Sequence, residues 1–243
     1  MMRSISAEWL KMRRSKMTLI LAALPVVSVL IGSANYYLNQ EALQNDWLSL
    51  WTQVSLFYGE FFLPILIAIC CAYACRLEHM NQNWKMIMAA PISAAHLYLA
   101  KLLITGMMIL FAQAMFLGLY WLAGTLLFLP SPFPVKTAGW VMRGWAASLS
   151  IIALQLELSL RFRSFAVPIG INLCAVFIGL GMYINKLGLF FPFSLLTIGM
   201  SVLSQDKLAA MENLLFWLMS IAFVVIFASI SICRLKNNDI VQA

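Results

Sequence analysis

Apolar runs too long for the core of a soluble domain recur along the whole chain. They extend over Met17 to Leu38, Thr52 to Cys75, Leu102 to Gly124, Ala138 to Leu160, Phe165 to Ile184 and Leu214 to Cys233. A helix crosses the hydrocarbon layer with about 20 such residues. The pattern therefore predicts an all-α integral membrane protein with six transmembrane helices. The fourth run is the weakest, because Arg143 and Glu157 leave only Gly144 to Leu156 free of charge, although both side chains can reach toward an interface. Leu187 to Gln205 is also uncharged, yet Gly188, Pro192, Ser194, Gly199, Ser201 and Ser204 interrupt it. Its expected form is a re-entrant outer segment between spans 5 and 6, two short helices that dip into the bilayer and return where neighbours satisfy the backbone. A seventh crossing is the other reading.

Direction follows from the basic residues, which are held on the cytoplasmic side. With the N-terminus inside, Arg3, Lys11, Arg13, Arg14, Lys16, Arg76, Lys85, Lys101, Arg161, Arg163, Arg234 and Lys236 fall on the inner side, against Lys136, Arg143, Lys186 and Lys207 outside. Both termini are thus expected in the cytoplasm. Omitting the fourth span would move Arg161, Arg163, Arg234 and Lys236 outside, against the rule. Ahead of the first span, Met2, Ile5, Trp9 and Met12 recur at helical spacing with Arg3, Lys11 and Arg14 opposite. That describes an N-terminal interfacial helix with Trp9 at headgroup level. It is either a plain positive-inside anchor or a brace, through Trp9, Lys11, Arg13 and Arg14, against a cytoplasmic partner.

Composition agrees. Of 243 residues 63% are hydrophobic and 10% charged, where soluble domains carry roughly 45–50% apolar and about 25% charged residues. Combined with a mean hydropathy of +0.90, the net charge of +7 reads as basic loops on apolar helices, not as a nucleic-acid surface. Cys70, Cys71, Cys75, Cys174 and Cys233 all lie in or at the end of apolar runs and read as packing residues, neither a disulfide framework nor a metal site. The first apolar run lacks a cleavage site followed by a polar mature region, so a retained span is expected. No fixed repeat or Ser/Gly linker divides the chain. One membrane domain over residues 1–243 accounts for the pattern.

The polar stretch Arg76 to Ser93 is the longest on the inner side. Asn81 to Ala90 is expected to form a short helix stopped by Pro91, with Ser93 capping the helix that runs through His96 and Lys101 into the third span. It is either an ordinary connector or a rigid lever between spans 2 and 3. Among intramembrane polar groups, Glu60 lies about 13 Å beyond Trp51 at helical rise, and an ionisable group there is a functional candidate. It either attracts a cationic substrate or is neutralised, by a proton or by Arg143 or Lys186. Glu157 stands one turn before Arg161, which predicts an i,i+4 pair. Gln113, Gln155 and Asn172 are expected to hydrogen-bond between helices; Gln113 and Asn172 join Glu60 as candidates for a pathway. Phe61, Phe62, Met107, Met108, Phe111, Met115 and Phe116 offer an adaptable apolar surface, or simple packing. His79 and His96 are the only histidines, and no H-E-x-x-H motif or paired carboxylates occur. Hence no catalytic residues and no metal site are expected.

Glu78, Asn83-Trp84-Lys85-Met86, Ala90-Pro91-Ile92-Ser93 and Tyr98-Leu99-Ala100-Lys101, following two N-terminal spans, resemble the permease subunits of ABC-2 type transporters. Glu8 to Ser15 and the run Trp51 to Tyr58 are similar to the lantibiotic-immunity and bacitracin-export branch. The resemblance implies a cytoplasmic coupling helix over Asn81 to Ala90, docked in a groove of a separate ATPase, with Glu78, Asn83, Trp84, Lys85, Met86, Pro91 and Ser93 as the coupling residues. It implies an ABC ATPase dimer, a second permease, identical or homologous, membrane lipid and a peptide substrate as partners, and a bacterial plasma membrane as the location. No G-x-x-x-x-G-K-[ST] loop occurs in the chain, so ATP and Mg are expected on the partner and no cofactor on this chain. The function implied is ATP-driven removal of an amphipathic antimicrobial peptide, giving immunity or antibiotic resistance. Export of another lipid-like or drug substrate, and a non-transporting scaffold or sensor, are the alternatives.

Overall fold

The computed structural model describes residues 2–13, 17–44, 46–80, 93–206 and 208–236. Among these every regular element is helical: α1 (Met2–Arg13), α2 (Met17–Leu38), α3 (Asp46–Ser55), a π-helical segment (Leu56–Phe62), α4 (Leu63–His79), α5 (Ala94–Leu126), α6 (Lys136–Arg161), α7 (Ala166–Ile184), a 3-10 turn (Gly188–Phe190), α8 (Pro192–Gly199) and α9 (Ala210–Lys236). Five helical stretches are long and apolar enough to cross a membrane: Met17–Leu38, Asp46–Arg76, Ala94–Leu126, Ala166–Ile184 and Ala210–Lys236. The expected fourth crossing, α6, spans 26 residues, about 39 Å at helical rise, but falls outside that apolar set. Its position explains this. α6 packs against α4, α5, α8 and α9, so its polar groups meet protein, whereas α9 has only 17% of its most apolar window buried.

The second crossing extends beyond the expected 52–75 because α3, the π segment and α4 stack into one rod. Its irregularity has a local cause. Pro64, in the first turn of α4, lacks an amide hydrogen and its ring crowds the carbonyl one turn earlier. The register just before it widens: the Leu63 amide donates to the Tyr58 carbonyl, five residues back, the signature of a π turn.

Residues 187–205 form no single long helix. α8 has 8 residues, about 12 Å, well short of the ~30 Å hydrocarbon core. The 3-10 turn and α8 are the two short helices expected, and the chain after them is gripped inside the bundle. Trp51 Nε1 donates to the Met200 carbonyl at 3.3 Å, and Gln205 Nε2 to the Leu48 carbonyl at 2.9 Å. A Cβ on Gly144 would stand 2.2 Å from Met200 Cγ, and one on Gly199 3.2 Å from the Arg143 carbonyl oxygen. Two small residues thus let α6 and the end of α8 touch backbone to backbone, as close helix contacts in membranes require.

The bundle has two chemically distinct ends. At one, Trp47 lies edge-on to Tyr120 and Phe133, with ring centroids 5.4 and 5.3 Å apart, and Tyr120 donates to the Trp47 carbonyl at 2.7 Å. At the other, His79 Nε2 meets the Ser159 carbonyl at 2.9 Å, Arg76 lies over the Phe165 ring, and Arg234 pairs with Glu157 at 2.7 Å. That last contact corrects the expected Glu157–Arg161 pair: Glu157 faces α9, while Arg161 lies over Phe162. α1 and the C-terminal end of α9 share this basic end.

Adding one methyl at the α6–α8 contact tests the packing. Gly144→Ala is expected to destabilise the protein by about 1–3 kcal/mol through overpacking, read as a lowered Tm in detergent. Gly118→Ala, where an added Cβ meets nothing within 4 Å, is expected to leave Tm unchanged or raise it, since alanine favours the helix.

Candidate functional site: a buried ion quartet

Four charged side chains converge at the basic end of the bundle from helices far apart in sequence. α1 supplies Glu8 and Lys11, one turn apart; the last turn of α4 supplies Glu78; the second turn of α5 supplies Lys101. Ser93 starts α5 by accepting a hydrogen bond from the His96 amide at 3.3 Å, the N-cap expected from its residue type. Lys11 Nζ lies 2.7 Å from Glu8 Oε1 and 3.1 Å from Glu78 Oε1. Lys101 Nζ lies 3.2 Å from Glu8 Oε2 and 2.5 Å from Glu78 Oε1. It also donates to the Ala74 carbonyl at 2.8 Å, so all three ammonium protons have acceptors.

Glu8, Glu78 and Lys101 are 2%, 1% and 1% exposed. Two carboxylates and two ammoniums cancel in charge. Such a group tolerates burial only as a set: breaking one buried pair leaves an uncompensated charge, at about 3–5 kcal/mol. Glu78 Oε2 has no hydrogen-bond partner among the described residues, although the carboxylate's other oxygen takes both lysines.

The quartet also orients α1. Glu8 and Met12 are its buried positions, while Trp9, expected at headgroup level, is 48% exposed. Ile5 packs on the core beside Met12. Glu8 is turned inward, where Lys101 stands. Arg13 is exposed. Of the expected brace, Trp9, Lys11 and Arg13 are described, and Arg14 lies outside the described residues. Of the expected coupling set, Glu78 and Ser93 are described: Glu78 is enclosed in the quartet, not displayed outward. Asn83, Trp84, Lys85, Met86 and Pro91 lie outside the described residues, as does the whole Asn81 to Ala90 segment.

The expected pathway residues are separate. Glu60 sits in the π segment, 5% exposed, with the Thr197 hydroxyl of α8 beside its carboxyl. Its Oε1 has no partner among the described residues, and neither Arg143 nor Lys186 forms an ion pair with it, which corrects the expected neutralisation by either. Gln113 is fully buried with both amide atoms unpartnered among the described residues. It lies one turn from Phe116, on which Tyr58 stacks at 3.9 Å. Asn172 accepts from Gln155 Nε2 at 2.8 Å, the interhelical bond expected of that pair. No hydrogen bond joins Glu60, Gln113 and Asn172. The apolar stripe divides as well: Phe116 and Met108 are buried, while Met107 and Phe111 are exposed.

Glu8 and Lys101 are the site residues that sequence reasoning missed. A signal was present. Two isolated opposite charges, Glu78 and Lys101, close two consecutive spans at the same end, and antiparallel neighbours bring such residues together.

A family model described as ABC-2 family transporter protein matches residues 4–179, a region that includes all four quartet residues and runs from α1 into α7. The chain belongs to the ABC-2 transporter family. It is a multi-pass membrane protein and a permease component of an ABC transporter. Membership implies an ABC ATPase as partner, with the permease itself not catalytic. No curated protein matches the chain.

The quartet makes the permease sensitive to single charge deletions. Lys101→Met is expected to destabilise it by about 3–5 kcal/mol. Combining Glu78→Leu with Lys101→Met removes one charge of each sign and leaves the Glu8–Lys11 pair, so at least half of that loss is expected to return. Thermal unfolding of the two single variants and the double variant in detergent measures the coupling.

Proposed function

We propose that this permease is the membrane half of an exporter that removes an amphipathic antimicrobial peptide from a bacterial plasma membrane, driven by an ATPase dimer and completed by a second permease. One observation supports this above others: the buried quartet ties α1, the end of α4 and the start of α5 into one unit at the two ends of segment 81–92. A push on that segment reaches both α1 and α5 through charges that cannot separate cheaply. In this reading six spans form a single domain over residues 1–243, with both termini cytoplasmic. Asn83, Trp84, Lys85 and Met86 meet the ATPase, which holds ATP and Mg, and α1 braces the joint through Trp9, Lys11, Arg13 and Arg14. Pro91 and Ser93 fix where the coupling segment turns into α5.

The substrate class is read from Glu60. A buried carboxyl in a π turn, at the foot of the re-entrant segment, offers an acid to a cationic amphiphile already dissolved in lipid. π turns recur at functional positions because they leave backbone groups less firmly paired. Gln113 and Asn172 supply further polar groups along the bundle interior.

Co-reconstitution with the ATPase tests the lever. Trp84→Ala and Lys85→Glu are expected to abolish stimulation of hydrolysis by the permease while leaving Tm within a degree or so of wild type, as surface substitutions do; unchanged stimulation overturns the docking assignment. A cysteine at position 84 is expected to react with an impermeant maleimide only in inverted vesicles. Labelling from the outer face refutes the orientation.

Glu60→Gln tests the substrate class. It is expected to lower peptide-stimulated hydrolysis for a cationic peptide about tenfold, equivalent to ~1.4 kcal/mol, and to leave an uncharged amphiphile unaffected. Equal loss for both would make Glu60 a packing residue.

A further inference from the structure

A groove of about 380 Å³ opens between α1, α2 and α5, within the ~300–1,000 Å³ range of ligand sites. Met12 and Met108 form its buried floor, while Trp9, Arg13, Thr18, Met107 and Phe111 line its sides and mouth. Along α5, Met107 and Phe111 lie about 9 and 15 Å beyond Lys101 at helical rise. Half of the hydrocarbon core is about 15 Å thick. With α1 at the membrane surface, as its amphipathic sequence leads one to expect, the groove runs from that surface to the depth at which acyl chains end in that leaflet.

Chemistry follows the same gradient. The deep part is thioether and phenyl, soft groups that adapt to a flexible chain. The shallow part holds an arginine, a hydroxyl and an indole, which suit a phosphate and a glycerol backbone. Among the described residues no carboxylate lines the groove. Glu8, the acid of α1, is engaged in the quartet, where both its oxygens are used. Arg13 is thus left to a negative group from outside the chain, with no carboxylate partner among the described residues.

We propose that this groove is a binding site for one anionic phospholipid of the leaflet at whose surface α1 lies, with the phosphate on Arg13 and Thr18 and an acyl chain along Met107 and Phe111. A basic pocket between membrane helices is a recognised setting for acidic headgroups. The lipid seats directly behind the quartet. It fills the space between α1 and α5, the two helices that Glu8 and Lys101 join, and so sets how firmly the lever is held.

Trp9 at the groove wall provides the readout. The full chain is reconstituted in phosphatidylcholine vesicles with increasing brominated phosphatidylglycerol, or brominated phosphatidylcholine, and emission of the Trp9→Phe variant is subtracted. The Trp9 component is expected to quench saturably at low mole fraction with the glycerol lipid and only in proportion to mole fraction with the choline lipid. Arg13→Gln is expected to raise the half-saturating fraction roughly fivefold, the scale of one basic residue near an anionic surface, whereas Arg13→Lys retains saturable quenching. Proportional quenching by both lipids would reduce the groove to ordinary lipid contact and overturn the proposal. Emission insensitive to both would mean that a second copy or the ATPase covers it, which also overturns the proposal. The bromolipids occupy both leaflets, so the outcome does not depend on which side α1 faces.

Discussion

Two carboxylates and one ammonium held out of water at one end of an apolar bundle, with a second, part-buried ammonium beside them, are the constraint around which the rest is arranged. Lys101 has no solvent to solvate it and three acceptors to satisfy it, Glu8, Glu78 and the Ala74 carbonyl. Glu78 and the Ala74 carbonyl come from one turn of α4 and Glu8 from α1, so Lys101 of α5 fixes the two helices relative to each other. α1 cannot shift against α4 and α5 without stripping Lys101 of a counter-charge. α4 and α5 cannot slide past one another without exposing Glu78. A cluster of this kind contributes little net stability compared with an apolar replacement, but it makes partial displacement expensive.

The opposite half of the molecule is held by shape instead. Small residues at Gly144 and Gly199 let α6 and the end of α8 close to backbone distance, and indole donors from Trp51 and Trp145 reach the carbonyls of Met200 and Gly106. The short segment after α7 is therefore a wedge within the bundle. Glu60 sits where wedge and π turn meet, beside Thr197. Ionic anchoring at one end and close packing at the other hold the two halves of the permease by different means.

Much of this architecture was legible in the chain. Long apolar runs state their own membrane depth, because lipid leaves a helix no other way to satisfy its backbone; five of the predicted runs reappear as helices long and apolar enough to cross, three of them with extended ends. Ser93 announced a helix start through its own side chain. Local rules failed where partners were distant. Nothing near Glu157 in sequence indicates Arg234, 77 residues away, so the nearby Arg161 was the natural assignment. The periodicity of α1 likewise gave no sign that Glu8 is buried, because apolar spacing cannot register a lysine on another helix.

The sequence by itself determined that the protein is helical, that it lives in a membrane, and which of its ends carries the positive charge. These follow from composition and periodicity, which act residue by residue. Only the tertiary structure decided which charges neutralise one another, which face α1 turns inward, and how a helix as polar as α6 is accommodated by being surrounded. Those outcomes are pairwise: a buried charge is tolerable or intolerable according to what stands opposite it, and no single stretch of chain contains both halves of that statement.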